Sequence, residues 1–184
     1  MPPEEESLQQ FPAPWSEFLA ELDAALEAPV ELHCLGGFVV CAQYGLPRPT
    51  NDIDYVAAIP RQAIAELDRL AGVESPRARR YGLYLQFVAV AALPENYEQR
   101  LEELFPGSFR NLRLFALDPY DLALSKLERN SPKDREDVSY LARTVPLDPR
   151  ILRERYQQEL RPNLLARHSW HDQTLELWLE AYFA

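Results

Sequence analysis

Residues 35–54 are the most informative stretch of the chain and read LGGFVVCAQYGLPRPTNDID. The alternating apolar residues at 30–35 predict a short strand that ends at the pair Gly36-Gly37. Residues 38–44 then indicate a short helix, because Gly45 stops it and the prolines that follow favour a loop. A second strand is predicted over residues 52–58. The stretch therefore predicts strand, glycine turn, helix, loop and strand in close succession.

Asp52 and Asp54 are the residues of this stretch that suggest a cation-binding site. Residues i and i+2 of a strand project from the same face, roughly 6–7 Å apart at the backbone. Two carboxylates so close together repel each other, which raises the pKa of one of them unless a cation lies between them. Mg²⁺ is such a cation, since it binds one or two carboxylates together with water and phosphate oxygens. Aspartates are also common at strand ends for structural reasons, so the pair alone leaves both interpretations open.

The glycine pair Gly36-Gly37 adds a second feature. A glycine turn before a helix lets the backbone approach a ligand closely and present N–H groups to a phosphate. Arg48 and Thr50 lie between this turn and the aspartates. If the phosphate bound at the glycine turn belongs to a triphosphate, we expect Arg48 and Thr50 to contact that triphosphate or the molecule that reacts with it, the acceptor.

Residues 35–54 resemble the signature of the DNA-polymerase-β-like nucleotidyltransferase superfamily, in which a glycine pair and a short helix precede Arg-x-Thr-x-Asp-x-Asp. A second stretch, LDPYDLALSKLER at 117–129 followed by KDREDV at 133–138, is similar to the pattern of its minimal bacterial branch. That branch includes the AbiEii-type and MenT-type toxins. The resemblance spans roughly residues 32–142 and implies an α+β nucleotidyltransferase fold, a small mixed sheet flanked by helices, with a helical C-terminal part.

The resemblance also implies roles for individual residues. Mg²⁺, or Mn²⁺ in its place, is expected as the cofactor, with Asp52 and Asp54 as metal ligands. The residues expected to bind nucleotide are Gly36, Gly37, Arg48, Thr50 and Lys126. The residues expected to act in catalysis are Asp52, Asp54, Lys126 and Asp134.

Asp134 and Asp137 have alternative interpretations. Asp134 is expected near the metal site or positioned by a basic neighbour, with Asp137 as the competing choice. Asp134 also occupies the third position of a capping box that starts at Ser131. Asp137 is spaced for a surface ion pair with Lys133, one helical turn away.

Gln86 is a departure from the superfamily pattern. Many polymerase-β-like enzymes carry a third carboxylate on a later core strand, where this chain offers only Gln86. An amide is a poor Mg²⁺ ligand and cannot act as a base. Two hypotheses stay open: a Mg²⁺-dependent transferase that moves a nucleoside monophosphate to an acceptor hydroxyl, or a catalytically silent binding protein with the same fold. By resemblance, the acceptor is a tRNA 3′ end modified by the toxin of a toxin–antitoxin system, and a protein hydroxyl that receives AMP is the second choice.

Composition and charge limit the class of protein. The chain has 184 residues and a net charge of −10. Its hydrophobic fraction of 47% and aromatic fraction of 11% exclude a disordered chain. No apolar run approaches the roughly 20 residues that span a bilayer, so we expect a cytoplasmic protein without a membrane partner. The first thirty residues hold seven acids and no base, whereas residues 77–135 hold ten bases and eight acids. This excludes a broad RNA-binding surface but favours a local contact with an RNA end. The expected partners are a nucleoside triphosphate, a tRNA 3′ end and a cognate antitoxin.

Three parts are expected along the chain: a lead-in with an amphipathic helix (1–29), the nucleotidyltransferase core (30–117) and a helical C-terminal part packed on it (118–184). The helical spacing of Trp15, Phe18 and Leu22 predicts a first helix over residues 15–26. The other predicted elements are strands at 83–91 and 111–116, helices at 60–70 and 96–105, a basic loop or strand entry at 77–80, helix starts at Asp118, Ser131 and Asp148, and a final helix or helix pair within 164–183. The aromatic residues of that final segment, Trp170, Trp178, Tyr182 and Phe183, are expected to complete the core.

Overall fold

A computed structural model describes residues 13–183, in which five strands form one mixed sheet flanked by helices. The strands are β1 (Val30–Leu35), β2 (Asp52–Ile59), β3 (Tyr84–Phe87), β4 (Glu102–Leu104) and β5 (Leu112–Ala116). Their order is β3-β2-β1-β5-β4. The β1 strand is antiparallel to β2 and parallel to β5, while β3 is parallel to β2 and β4 is antiparallel to β5. The predicted α+β class with a mixed sheet is confirmed. Most of the predicted irregular lead-in falls on residues 1–12, outside the described residues.

The helices begin largely where capping chemistry predicts. They are α1 (Trp15–Ala25), α2 (Gly36–Tyr44), α3 (Ala63–Ala71), α4 (Pro76–Tyr81), α5 (Pro119–Leu124), α6 (Pro132–Thr144), α7 (Pro149–Arg155) and α8 (His168–Tyr182). Asp118, Ser131 and Asp148 are the N-caps of α5, α6 and α7, and each accepts a first-turn backbone N–H while proline occupies the first turn.

Three segments differ from the prediction. Residues 77–80 lie in α4 instead of a loop, because Ser75 caps the helix and Gly82 ends it with a left-handed φ of 67°. Residues 96–105 form a 3-10 turn, Tyr97–Arg100, and then β4, so pairing with β5 overrides the local helical pattern. The β3 strand ends at Phe87, four residues earlier than expected.

Buried side chains form two clusters. The larger lies between the sheet and helices α1–α3, and the smaller lies among α5–α8. Trp178 is buried in the smaller cluster as expected, whereas Trp170 is 40% exposed. Because α5 and α6 contribute to both clusters, the C-terminal helices are held against the sheet. In residues 13–183, no helix is both long and apolar enough to cross a bilayer.

Candidate active site

Strand pairing brings the glycine turn next to the strand aspartates. Leu35, the last residue of β1, pairs with Asp54 of β2, so Gly36 lies beside the Asp54 carboxylate. Gly36 has a φ of +79°, and a Cβ there would lie 2.7 Å from Oδ2 of Asp54. Both the left-handed backbone and the close carboxylate require glycine at this position.

The N-terminus of α2 opens at the same place. Its N-cap residue, Leu35, makes no side-chain hydrogen bond to the first turn. The backbone N–H groups of a first helical turn attract anions when no side chain caps them. At the next position, a Cβ on Gly37 would lie 3.1 Å from Nη2 of Arg48 and 3.7 Å from Oγ1 of Thr50. The glycine pair, Arg48 and Thr50 thus lie close together, and their contact with a ligand stays a prediction.

The two aspartates of β2 form a concentrated negative charge. The Thr50 hydroxyl donates to Oδ1 of Asp52 at 3.0 Å, which orients that carboxylate. Burial, followed by repulsion from Asp52, raises the pKa of Asp54 to about 6, while Arg129 and Lys126 act in the opposite direction. A carboxylate in such a position is stabilised in its charged form when a cation binds next to it.

Asp137 lies between two of the cations that the sequence assigns to phosphate binding. Its Oδ2 accepts from Nζ of Lys126 at 2.7 Å, and its Oδ1 accepts from Nη2 of Arg48 at 2.6 Å. Arg48 also pairs with Glu136 at 2.7 Å. Lys126 is only 4% exposed, so Asp137 neutralises a buried cation. The surface pair of Asp137 with Lys133 is a wrong expectation, since the carboxylate faces Lys126 and Arg48 instead.

Asp134 is the third residue of a complete capping box and also holds an arginine at the site. Its side chain accepts from the backbone N–H and the hydroxyl of Ser131, while the Ser131 hydroxyl accepts the Asp134 backbone N–H. The Arg129 guanidinium donates two hydrogen bonds of 2.7 Å to the same carboxylate. Burial alone would raise the pKa of Asp134, but the bonds from Arg129 and Ser131 lower it to about 2. A carboxylate this acidic positions Arg129 and is a weak proton acceptor near neutral pH.

Two cavities meet at Asp54 and Arg129. The first, which we call the α5 cavity, has a volume of about 390 Å³ and is lined by Gly36, Asp54, Ser125, Lys126, Glu128, Arg129, Asp134 and Arg167 on its polar side. The second, the loop cavity, has about 340 Å³ and is lined by Gly37, Arg48, Thr50, Asp52, Asp54, Arg129, Lys133 and Asp137. A site with two adjoining cavities has room for two substrates on either side of one carboxylate.

A family model described as a nucleotidyltransferase of unknown function (DUF6036) matches residues 10–182. The chain belongs to this nucleotidyltransferase family. No curated protein and no solved structure matches the chain significantly. The predicted membership of a nucleotidyltransferase family is therefore confirmed, and the toxin-like branch stays a prediction.

Gln86 lies on the strand next to the two site aspartates and supplies an amide instead of a third carboxylate. It pairs in register with Asp54 on the neighbouring strand. Register partners in a sheet project from the same face, and Tyr84, two residues earlier on β3, lines the loop cavity, so Gln86 projects from the same face as Asp54. Gln86 also borders a separate open groove of about 740 Å³ beside α3, which does not include Asp52 or Asp54. This groove is larger than either site cavity but lacks their paired carboxylates and the glycine turn.

The donor set at the site fits Mg²⁺. Within residues 13–183, no group of three or more histidine, cysteine, aspartate or glutamate side chains is placed to hold a metal ion. Asp52 and Asp54 supply two carboxylates, and Mg²⁺ commonly takes one or two from the protein and completes its shell with water and substrate phosphate. Their position on one face of β2, with Asp54 beside the glycine turn, is the observation that favours a cation between them.

Three cationic residues at the site were not assigned from the sequence. Arg129 lies three residues after Lys126 in the second motif and reaches both cavities. Lys133 lines the loop cavity, and its side chain has no ion pair within residues 13–183. Arg167 lines the α5 cavity from a distant part of the chain. The spacing of Arg129 and Lys133 in the motif was a usable signal, whereas nothing near Arg167 in sequence pointed to the site.

Proposed function

We propose that the protein transfers a nucleoside monophosphate from a nucleoside triphosphate to an acceptor hydroxyl, with Mg²⁺ as cofactor. The observation that carries this proposal is the contact of Asp54 with Gly36, where the β2 aspartates meet the uncapped N-terminus of α2. One feature attracts a divalent cation and the other attracts phosphate. Membership of a nucleotidyltransferase family supports the same reaction class.

Different residues of the site bind the cation, bind the phosphates and hold the charged side chains in place. Mg²⁺, when bound by Asp52 and Asp54, would supply Lewis-acid activation of the phosphoryl group and charge neutralisation. The N–H groups of Gly36 and Gly37 bind phosphate oxygens, and Arg129 stabilises the negative charge that develops on the departing pyrophosphate. The bond from the acceptor oxygen to the α-phosphorus forms, the bond from that phosphorus to pyrophosphate breaks, and the acceptor proton leaves to water. Asp134 acts by holding the Arg129 guanidinium in place.

Lys126 and Arg48 contribute to the same site through Asp137. Both donate to one buried carboxylate, and Arg48 also pairs with Glu136, so the four side chains are held together beside the two cavities with no net charge. Cationic side chains fixed in this way are preorganised for a negatively charged ligand. Lys126 therefore supports phosphate binding through its fixed position in the lining of the α5 cavity.

The acceptor that we propose is the 3′ end of a tRNA, modified in the cytoplasm by the toxin of a toxin–antitoxin pair. The resemblance of residues 117–138 to minimal toxin-like transferases supports this choice, together with Lys133, which lines the loop cavity without an ion pair in the described part of the chain. The acidic first thirty residues exclude a long RNA track and leave a local contact. A protein hydroxyl is the second acceptor to test.

The test is incubation with Mg²⁺, each α-³²P-labelled triphosphate and total tRNA. The wild-type protein is expected to label the tRNA, and Asp54→Asn is expected to abolish labelling. Asp68→Asn is the matched control, since it makes the same chemical change at an exposed position of α3. Label on protein would indicate AMP-type transfer to a protein hydroxyl. Labelling that survives Asp54→Asn contradicts the mechanism, and absence of both labelling and triphosphate binding favours the silent binding protein.

The toxin role has a separate test in cells. Induced expression in a bacterial host is expected to arrest growth, and Asp54→Asn is expected to relieve the arrest while Asp68→Asn does not. Growth arrest that Asp54→Asn leaves unchanged would contradict a toxic transferase. Co-expression of the neighbouring gene then tests for a cognate antitoxin.

A further inference from the structure

Arg167 has an unusual backbone conformation at the rim of the α5 cavity. It precedes α8 with φ 60° and ψ 31°, a left-handed conformation that glycine, asparagine and aspartate adopt much more readily than arginine. His171 fixes this conformation, because its backbone N–H and its Nδ1–H donate to the Arg167 carbonyl at 3.1 and 2.9 Å. A carbonyl only accepts, so Nδ1 of His171 carries the proton. Strained residues that the surrounding structure holds in place are concentrated at functional sites.

The Arg167 guanidinium lies over an exposed indole. Its Cζ is 4.9 Å from the centre of the Trp170 ring. Trp170 is 40% exposed, whereas Trp15 and Trp178 are only 8% and 3% exposed. The Trp170 Nε1–H donates to the Glu128 carbonyl at 3.2 Å, which attaches the ring to the segment that carries Arg129. The indole thus supports a flat guanidinium at a defined place.

Arg167 has no ion pair with a carboxylate within residues 13–183, in contrast to Arg48, Lys126 and Arg129 at the same site. It shares the α5 cavity with Asp54 and Arg129. The apolar lining of this cavity comes from Leu35, Val88, Val90, Ala91 and Ala92. Val90 is 87% exposed, so part of this apolar lining is open to solvent. The cavity therefore combines phosphate-binding chemistry near Asp54 with small apolar side chains and one unpaired planar cation.

We propose that Arg167, supported by Trp170, stacks on the nucleobase of the nucleoside triphosphate in the α5 cavity. Guanidinium planes stack on bases as aromatic rings do, and such stacking tolerates any base because every base has a π-face. The triphosphate lies towards Asp54 and the α2 N-terminus, and the base lies between Arg167 and the apolar side chains of residues 88–92. This inference rests on the proposed function, since it assigns the base subsite of the same nucleotide site.

The experiment measures binding of the four nucleoside triphosphates and of inorganic tripolyphosphate by calorimetry, in the presence of Mg²⁺. The main variant is Arg167→Gly, because glycine accepts the left-handed backbone and keeps the fold intact. It is expected to weaken all four nucleotides by about 10-fold or more and to leave tripolyphosphate unchanged. Arg167→Lys keeps the positive charge but lacks the planar guanidinium group, and its nucleotide affinities are expected to resemble those of Arg167→Gly. Arg143→Ala, an exposed arginine of α6 without an ion pair in residues 13–183, is the control and should bind like wild type.

Trp170 supplies a second readout. Nucleotide binding is expected to change the tryptophan fluorescence of the wild-type protein, and Trp170→Phe should remove that change. Unchanged nucleotide affinity in Arg167→Gly overturns the inference, and so does an equal loss for tripolyphosphate, which would assign Arg167 to phosphate. Either result leaves the proposed function standing if Asp54→Asn still abolishes transfer. Absence of nucleotide binding by the wild-type protein overturns both.

Discussion

Gly36→Ala is the substitution that tests the architecture of the site most directly. At a φ of +79°, an alanine costs about 1–2 kcal/mol of stability relative to glycine. Its Cβ would also lie 2.7 Å from Oδ2 of Asp54, about 0.7 Å closer than ordinary van der Waals contact permits. Asp54 must therefore move, and a misplacement on the order of 1 Å costs about 100-fold in rate. We expect nucleotidyl transfer to fall by about that factor.

Gly82→Ala separates the displacement of Asp54 from backbone strain. Gly82 has a similar φ of +67°, but no atom lies within 4 Å of the Cβ that would be added. Urea unfolding of both variants should show a similar loss of stability, and only Gly36→Ala should lose most of its transfer rate. If Gly36→Ala retains the rate of Gly82→Ala, then the contact between Gly36 and Asp54 has no part in the reaction and the reasoning fails.

Other measurements test the charged groups around the site. Asp137→Asn should lower the free energy of unfolding by about 3–5 kcal/mol, because buried Lys126 loses its partner. Combination with Lys126→Met should recover part of that loss in urea titrations, and strictly additive losses would contradict the pairing. The pKa of Asp134 is lowered to about 2, so its stabilisation is complete above the unfolded pKa of about 4 and is lost as the pH falls towards 2. The stability gap between wild type and Asp134→Asn should therefore shrink by roughly 2 kcal/mol across that range, and a constant gap would refute the shift. Chelation of divalent cations with EDTA should abolish transfer and added Mg²⁺ should restore it, whereas transfer in EDTA would exclude a metal role for the β2 aspartates.

Local signals predicted most of the fold around the site. The β1 strand was predicted with its observed bounds, and the N-caps Asp118, Ser131 and Asp148 were each predicted from aspartate or serine followed by proline. These features depend only on residues that are neighbours in the chain, so they can be predicted from the sequence. Residues 96–105 were predicted incorrectly because β4 forms only by pairing with β5, a partner that local periodicity does not reveal.

The contacts at the candidate site also fall into two groups, those that local sequence predicts and those that it does not. Gly36, Gly37, Asp52 and Asp54 belong to one strand–helix–strand unit, so their meeting could be predicted from spacing. The partners of Asp137 could not, because Arg48 and Lys126 reach it from a loop and from the end of α5. The position of Gln86 beside Asp54 also depends on the register in which β3 pairs with β2.

The sequence by itself determined the succession of strand, glycine turn, helix and strand that carries the two carboxylates, since these elements follow from short-range periodicity and turn residues. Its resemblance to a family signature indicated the nucleotidyltransferase fold. Only the tertiary structure decided which cations stay available to a ligand. Asp137 neutralises Lys126 together with Arg48, Asp134 holds Arg129, and Arg167 is left to face the α5 cavity. Ion pairs between residues distant in the chain form when helices pack, and their energies depend on distances and burial that no local pattern encodes.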